Sequence, residues 1–234
     1  MSTNINPPVP SGNFRVGRNG WVPDLIVLHT TTNTTQSAIN WITNPTSNVS
    51  YHVIIAANGN VTRAVDIGNT AFANGTGTGN RHHSHSTNHL VRSRTANAND
   101  YTISIAFGDM NLNQGNLTLA QINTAAMHLN ILRAEIMMRW NRWVDLSRMT
   151  IIGHNEVTPL HTGRNGCPIL APATSFPFVQ IIQRLHELPI LLPFSSEDTM
   201  SDYLGDYVGV VYNKEDNYLP QEESYCCGNH SEQK

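Results

Sequence analysis

Leu25-Ile26-Val27-Leu28-His29 is the stretch that fixes the reading of the fold. Four consecutive apolar residues leave no polar side for solvent. The run is therefore a strand buried on both faces, as at the centre of a sheet covered by helices. It stops at His29, which places an imidazole at the C-terminal edge of that strand. A histidine in such a position is more often a hydrogen-bonded core residue than a metal ligand, so His29 alone decides nothing.

Working outward, Tyr101-Thr-Ile-Ser-Ile-Ala-Phe107 is a second strong strand, ending at Gly108-Asp109, and Met149-Thr-Ile-Ile152 is a third that runs into Gly153-His154. Ser50-Tyr51-His52-Val-Ile-Ile55 is a fourth. Asn58-Gly59-Asn60 turns it tightly into Val61-Thr-Arg-Ala-Val65, and two strands joined so closely must be antiparallel. The apolar spacing predicts helices over Gln36 to Thr43, stopped by Asn44-Pro45, and from Leu117-Thr118 to Trp140. A last helix is predicted over Phe178 to Leu188, with Val179, Ile182 and Leu185 facing inward. The fold class that follows is α/β, a mixed central β-sheet flanked by α-helices.

Two further residues raise the question of a metal. His154 sits where a strand's pairing ends, and Cys167 follows thirteen residues later, with no cysteine in the 166 residues before it. A lone thiol is no half of a disulfide within this body, and is as readily a small buried apolar residue as a ligand. Together, His29, His154 and Cys167 offer two imidazoles and a thiolate. That set would leave a zinc ion one open position for water, the pattern of a catalytic rather than a structural site. The other histidines, His82, His83, His85 and His89, fall in a Gly- and Asn-containing segment over 74–100. They read as a solvated loop beside which a substrate groove could run.

Composition bounds the rest. Only 13% of residues are charged, and the net charge of -3 hides a division. Residues 1–190 carry 12 Arg and no Lys against 8 acidic residues, while 191–234 carry 2 Lys against 9. The break predicts a boundary between a body over 24–190 and an acidic C-terminal extension over 191–234, and the start, rich in Pro, Gly and Asn, reads as an N-terminal arm over 1–23. That extension holds the adjacent Cys226 and Cys227. Nothing in this balance suits a nucleic acid. No run approaches the ~20 apolar residues of a membrane span. The first residues lack a basic segment followed by an apolar one, so the chain is expected to be made in the cytoplasm without a signal peptide.

Taken in order, the motifs resemble a known family: Leu-Ile-Val-Leu-His29, Ser-Tyr51-His-Val-Ile-Ile with Asn-Gly, Thr70-Ala-Phe, Tyr-Thr-Ile-Ser-Ile-Ala-Phe-Gly-Asp109, Leu-Thr-Leu-Ala-Gln121, Ile-Ile-Gly-His154-Asn-Glu-Val, Cys167-Pro and Phe-Pro-Phe178. The set is similar to the zinc-dependent N-acetylmuramoyl-L-alanine amidases of type 2, which include phage lysozyme-amidases and the peptidoglycan recognition proteins, over roughly residues 14–188. The resemblance implies that His29, His154 and Cys167 hold Zn2+. It implies that Tyr51 lies beside the metal-bound water, and that Arg164 is the nearest match to the residue that polarises the carbonyl. The implied substrate is peptidoglycan, glycan strand plus stem peptide, cut between N-acetylmuramic acid and L-alanine. The implied protein is a monomer that reaches the wall after cell release or by non-classical export. A recognition module that binds the wall without cutting it is the alternative.

Two departures from the family pattern stand out. Ala106 occupies the place where many bacterial relatives carry a glutamate, which shifts the expected mechanism toward Tyr51. The aromatic-His-Ala-Gly motif reads Phe72-Ala73-Asn74-Gly75, which removes a histidine from the substrate side. Glu156 and His52 are expected to be structural rather than catalytic or metal-binding.

Overall fold

The structure is a computed structural model that describes residues 13–31, 33–75, 82–110, 116–159, 167–168 and 176–190. Its centre is β2 (Leu25–Thr30), all six residues of which are buried. β2 pairs in parallel with β6 (Thr102–Phe107) on one side and with β7 (Ile151–Gly153) on the other. β3 (Val53–Ile55) adds to β6 in parallel, and β4 (Val61–Arg63) returns antiparallel at the edge, giving the order β4-β3-β6-β2-β7. The turn between β3 and β4 needs the positive φ of 87° that Gly59 supplies without a Cβ penalty. The sheet is mixed, as the tight turn required.

Strand alternation divides these residues between two layers. Ile26, Leu28, Ile103, Ile105 and Phe107 point to one side, where they meet Leu129, Leu132 and Ile136 of α4 (Leu119–Trp140) and Ile181 and Leu185 of α6 (Phe178–Glu187). Helix α4 begins where the sequence requires. Thr118 accepts from the Gln121 N–H at 3.0 Å, and the Gln121 side chain accepts from the Thr118 N–H at 3.0 Å, a reciprocal cap. The opposite side packs against α1 (Thr35–Thr43), which buries Ala38 and Ile42, and against short helical segments.

Two expectations are corrected. Val179 is 63% exposed, and the buried residues of α6 are Ile181 and Leu185, with Ile182 packed against the same core from a partly buried position. The row 178, 181, 185 has helical spacing too, and Phe178 fixes that face by packing against Phe176 with ring centroids 4.7 Å apart. The histidine-containing segment is more ordered than a solvated loop. Its described part holds a 3-10 turn (His83–His85), α2 (His89–Arg92) and α3 (Ala98–Tyr101), each capped by a side chain immediately before it.

The described part of the N-terminal arm is woven into the body. β1 (Phe14–Arg15) pairs with β5 (Thr70–Ala71). Asn13 is fully buried, donating to the carbonyls of Ile42 and Asn44. No helix of the described residues is long and apolar enough to cross a membrane. The acidic stretch 191–234, with Cys226 and Cys227, lies outside the described residues.

Candidate metal centre

His29, His154 and Cys167 converge although they lie far apart along the chain. All three are fully buried, and one donor atom from each lies within 4.8 Å of the other two. Each arrives by a different device. His29 continues the outward alternation of Leu25 and Val27 on β2, toward the side opposite α4. His154 is the first residue of the one-turn helix α5 (His154–Val157), directly after β7 stops pairing at Gly153. Cys167 is brought in by the main chain, its carbonyl accepting from the Asn155 N–H at 2.5 Å.

The environment suits a cation with neutral nitrogen and anionic sulfur donors. The Thr30 N–H donates to Cys167 Sγ at 3.3 Å, a contact that favours thiolate, and Sγ lies 3.9 Å from His29 Nδ1. His154 Nε2 lies 2.9 Å from the Asn74 carbonyl and 3.0 Å from Thr158 Oγ1. With its Nε2–H given to that carbonyl, His154 keeps Nδ1 for a metal, the usual orienting role of a group behind a ligand. Burial, then the neighbouring His154 and His52, hold the His29 pKa well below 6.5, so its imidazole is neutral, as ligation needs. Tetrahedral zinc bonds of ~2.0–2.3 Å would set donor atoms ~3.3–3.7 Å apart. The Sγ to His29 Nδ1 distance of 3.9 Å is close to that spacing and all three donors stay within 4.8 Å of one another, so the donor set is of the kind and compactness that suits the ion. Among the described residues this is the one cluster of three or more potential ligands.

Tyr51 is buried, its ring centroid 5.2 Å from that of His29. Ala106 pairs in register with His29 and contributes no carboxylate. His52 faces elsewhere: Nδ1 accepts from the Ser104 N–H at 3.0 Å, Nε2 lies 3.2 Å from the Asn69 carbonyl, and the Arg18 guanidinium packs against it. Burial, then the Arg18 charge, push its pKa down to about 3. Glu156 turns back to its own backbone, accepting from the Gly153 N–H at 2.7 Å and from Arg148 at 2.7 Å. Arg164 lies outside the described residues.

The groups behind the ligands have no signature in the sequence. The Asn74 carbonyl and the Thr30 N–H are main-chain atoms, which leave no trace in side-chain patterns. Asn74 did stand out as a departure from a motif, and it is the residue whose carbonyl meets His154. Its side chain donates to Thr102 Oγ1 at 2.8 Å, which anchors the carbonyl in place.

Comparison with known proteins bears on the family rather than on the donors. A family model described as N-acetylmuramoyl-L-alanine amidase matches residues 19–169. Among solved structures the chain is similar to a selenomethionine derivative of AmpD, at 17% identity over 77% of this chain and 94% of that one, TM-score 0.49. PlyL is 18% identical over 69% and 83% of the two chains, TM-score 0.46. LysC of Clostridium intestinale URNW, an N-acetylmuramoyl-L-alanine amidase, is 17% identical over 71% and 87%, TM-score 0.41. No curated protein sequence matches.

Proposed function

The chain belongs to the N-acetylmuramoyl-L-alanine amidase family, and from that membership we propose that it cuts peptidoglycan by means of one zinc ion held by His29, His154 and Cys167. The bond is the amide between the lactyl group of N-acetylmuramic acid and L-alanine of the stem peptide. The observation that carries the zinc assignment is the burial of two imidazoles and one thiol, from separate segments, with donor atoms within 4.8 Å.

When bound, such an ion polarises the scissile carbonyl as a Lewis acid and lowers the pKa of water to ~7. The chain's own residues prepare the site for it. The Thr30 N–H holds the sulfur and favours its anionic form, and the Asn74 carbonyl keeps the His154 ring in one tautomer. The wall formed by Tyr51, Ile54 and Ala106 excludes bulk water from the His29 side. Tyr51, next to His29, is assigned the role of orienting the attacking water or stabilising the oxyanion. Arg164 is assigned the carbonyl-polarising role on the match of its neighbourhood to the family pattern alone.

All three donors come from one chain, so a monomer is sufficient. The catalytic domain is assigned to 24–190, although Arg18 of the preceding arm is itself buried, with Nη1 donating to the Thr102 carbonyl at 3.0 Å. The site of action is the cell wall. A wall-binding module without turnover would have no need of a complete buried donor set, which is why the hydrolytic reading is preferred.

Digestion of purified walls tests the proposal. Zinc-loaded protein should release soluble peptides whose new amino terminus is L-alanine, and chelation should stop that release. Peptide release that continues unchanged after complete metal removal would overturn the zinc assignment.

A further inference from the structure

Gly153, His154 and Cys167 are held together by a fastening outside the ligand set. The β7–α5 junction must bring His154 into the centre within one residue of the end of strand pairing. A Cβ on Gly153 would lie 2.8 Å from Pro168 Cδ and 2.4 Å from Asn155 Oδ1, so the absence of a side chain there lets the Cys167-Pro168 segment close over the junction. The Asn155 N–H then donates to the Cys167 carbonyl, tying one ligand's neighbour to the other ligand's backbone.

What keeps the junction from moving lies on its outer side. Glu156 Oε2 accepts from the Gly153 N–H and from Arg148 Nη2, both at 2.7 Å. Arg148 Nη1 donates to the Ile151 carbonyl of β7 at 3.0 Å, and its guanidinium lies 3.9 Å from the centroid of Phe178 at the start of α6. One guanidinium thus joins the strand that leads into His154, the turn that follows it and the last described helix, α6.

We propose that the Arg148–Glu156 pair, seated on Phe178, is a positioning device for the metal site, setting the separation of His154 and Cys167 without touching the ion. This rests on the zinc assignment made above. The pair is a half-exposed salt bridge, its side chains 46% and 22% exposed, and pairs of that kind add little to global stability. Its effect should therefore appear in the metal site rather than in the fold. Groups that hold a ligand in place typically alter metal affinity by ~10–100-fold when removed.

The test compares zinc affinity, measured by chelator competition, and the visible spectrum of the cobalt-substituted protein across four variants of the full chain. Cys167→Ala should lose zinc altogether; if it does not, the ligand assignment itself is wrong. Given that loss, Glu156→Ala should weaken zinc by ~10–100-fold and shift the cobalt bands, with the thermal midpoint of the metal-free protein unchanged. Glu156→Gln keeps an acceptor for Gly153 and should recover most of the affinity. Arg148→Lys, which loses the planar contact with Phe178, should fall between them and serves in place of Glu156→Ala if that variant does not fold. Zinc affinity and cobalt bands like those of the unaltered protein in both Glu156→Ala and Arg148→Lys would overturn the proposal while leaving the zinc reading intact.

Discussion

The two faces of the central sheet are equally buried and chemically opposite. On β2, Ile26 and Leu28 enter hydrocarbon shared with α4, while Leu25, Val27 and His29 face the other way. On β6, Ile103, Ile105 and Phe107 alternate with Thr102, Ser104 and Ala106. The α4 face is filled chiefly by hydrocarbon, with polar groups brought in by the helix itself, where Glu135 pairs with Arg63 and Gln121 donates to the Ile55 and Gly108 carbonyls. The other carries hydroxyls, imidazoles and a thiol buried from bulk solvent, and each such group costs free energy unless it is paired. That face accordingly uses specific bonds: Ser104 N–H to His52, Asn74 to Thr102, and Asn74 carbonyl to His154. The contrast teaches that stability and chemistry are carried by alternate residues of the same strands.

Substitutions should therefore separate by face. The largest effect belongs to His29→Ala, which should abolish zinc binding and wall hydrolysis while circular dichroism still reports a folded chain. Retained activity there would break the division outright. Next is Tyr51→Phe, expected to keep zinc and the thermal midpoint while lowering kcat by ~10²–10³-fold, the scale of a lost oxyanion donor. On the hydrocarbon face, Ile105→Val should behave in the opposite sense, destabilising the fold by ~0.5–1.5 kcal/mol in denaturant titrations with kcat of the folded protein unchanged. A drop in kcat with unaltered stability would show that the faces are not independent. Smallest is Arg184→Ala, which removes an exposed i,i+3 ion pair with Glu187 and should shift stability by no more than ~0.5 kcal/mol.

The hydrocarbon face was legible in the sequence because a continuous apolar run permits few placements. Leu25 to Leu28 reads as a central strand and Tyr101 to Phe107 as a strong one, and the α4 stripe reads as a helix covering one face of the sheet. On α6 Leu185 and Ile182 follow the expectation and Val179 does not, because the helix has more apolar residues than one face can bury. Only the contacts of Phe178 select among the rows. The donors His29, His154 and Cys167 were legible by type and by their places at strand ends. Their supports were not, since the Thr30 N–H, the Asn74 carbonyl and the pairing of Phe14–Arg15 with Thr70–Ala71 are tertiary hydrogen bonds between segments with no shared periodicity. Arg18 is hidden for the same reason. Burial and three main-chain carbonyl partners on Nη1 lie behind a residue that composition alone assigns to a surface arm.

X-ray absorption at the zinc edge of the loaded protein reads the donor set itself. One zinc per chain is expected, coordinated by two imidazole nitrogens and one sulfur at ~2.3 Å, with one light atom from solvent completing the shell. A zinc shell without sulfur, or one that keeps its sulfur in Cys167→Ala, would contradict that donor set.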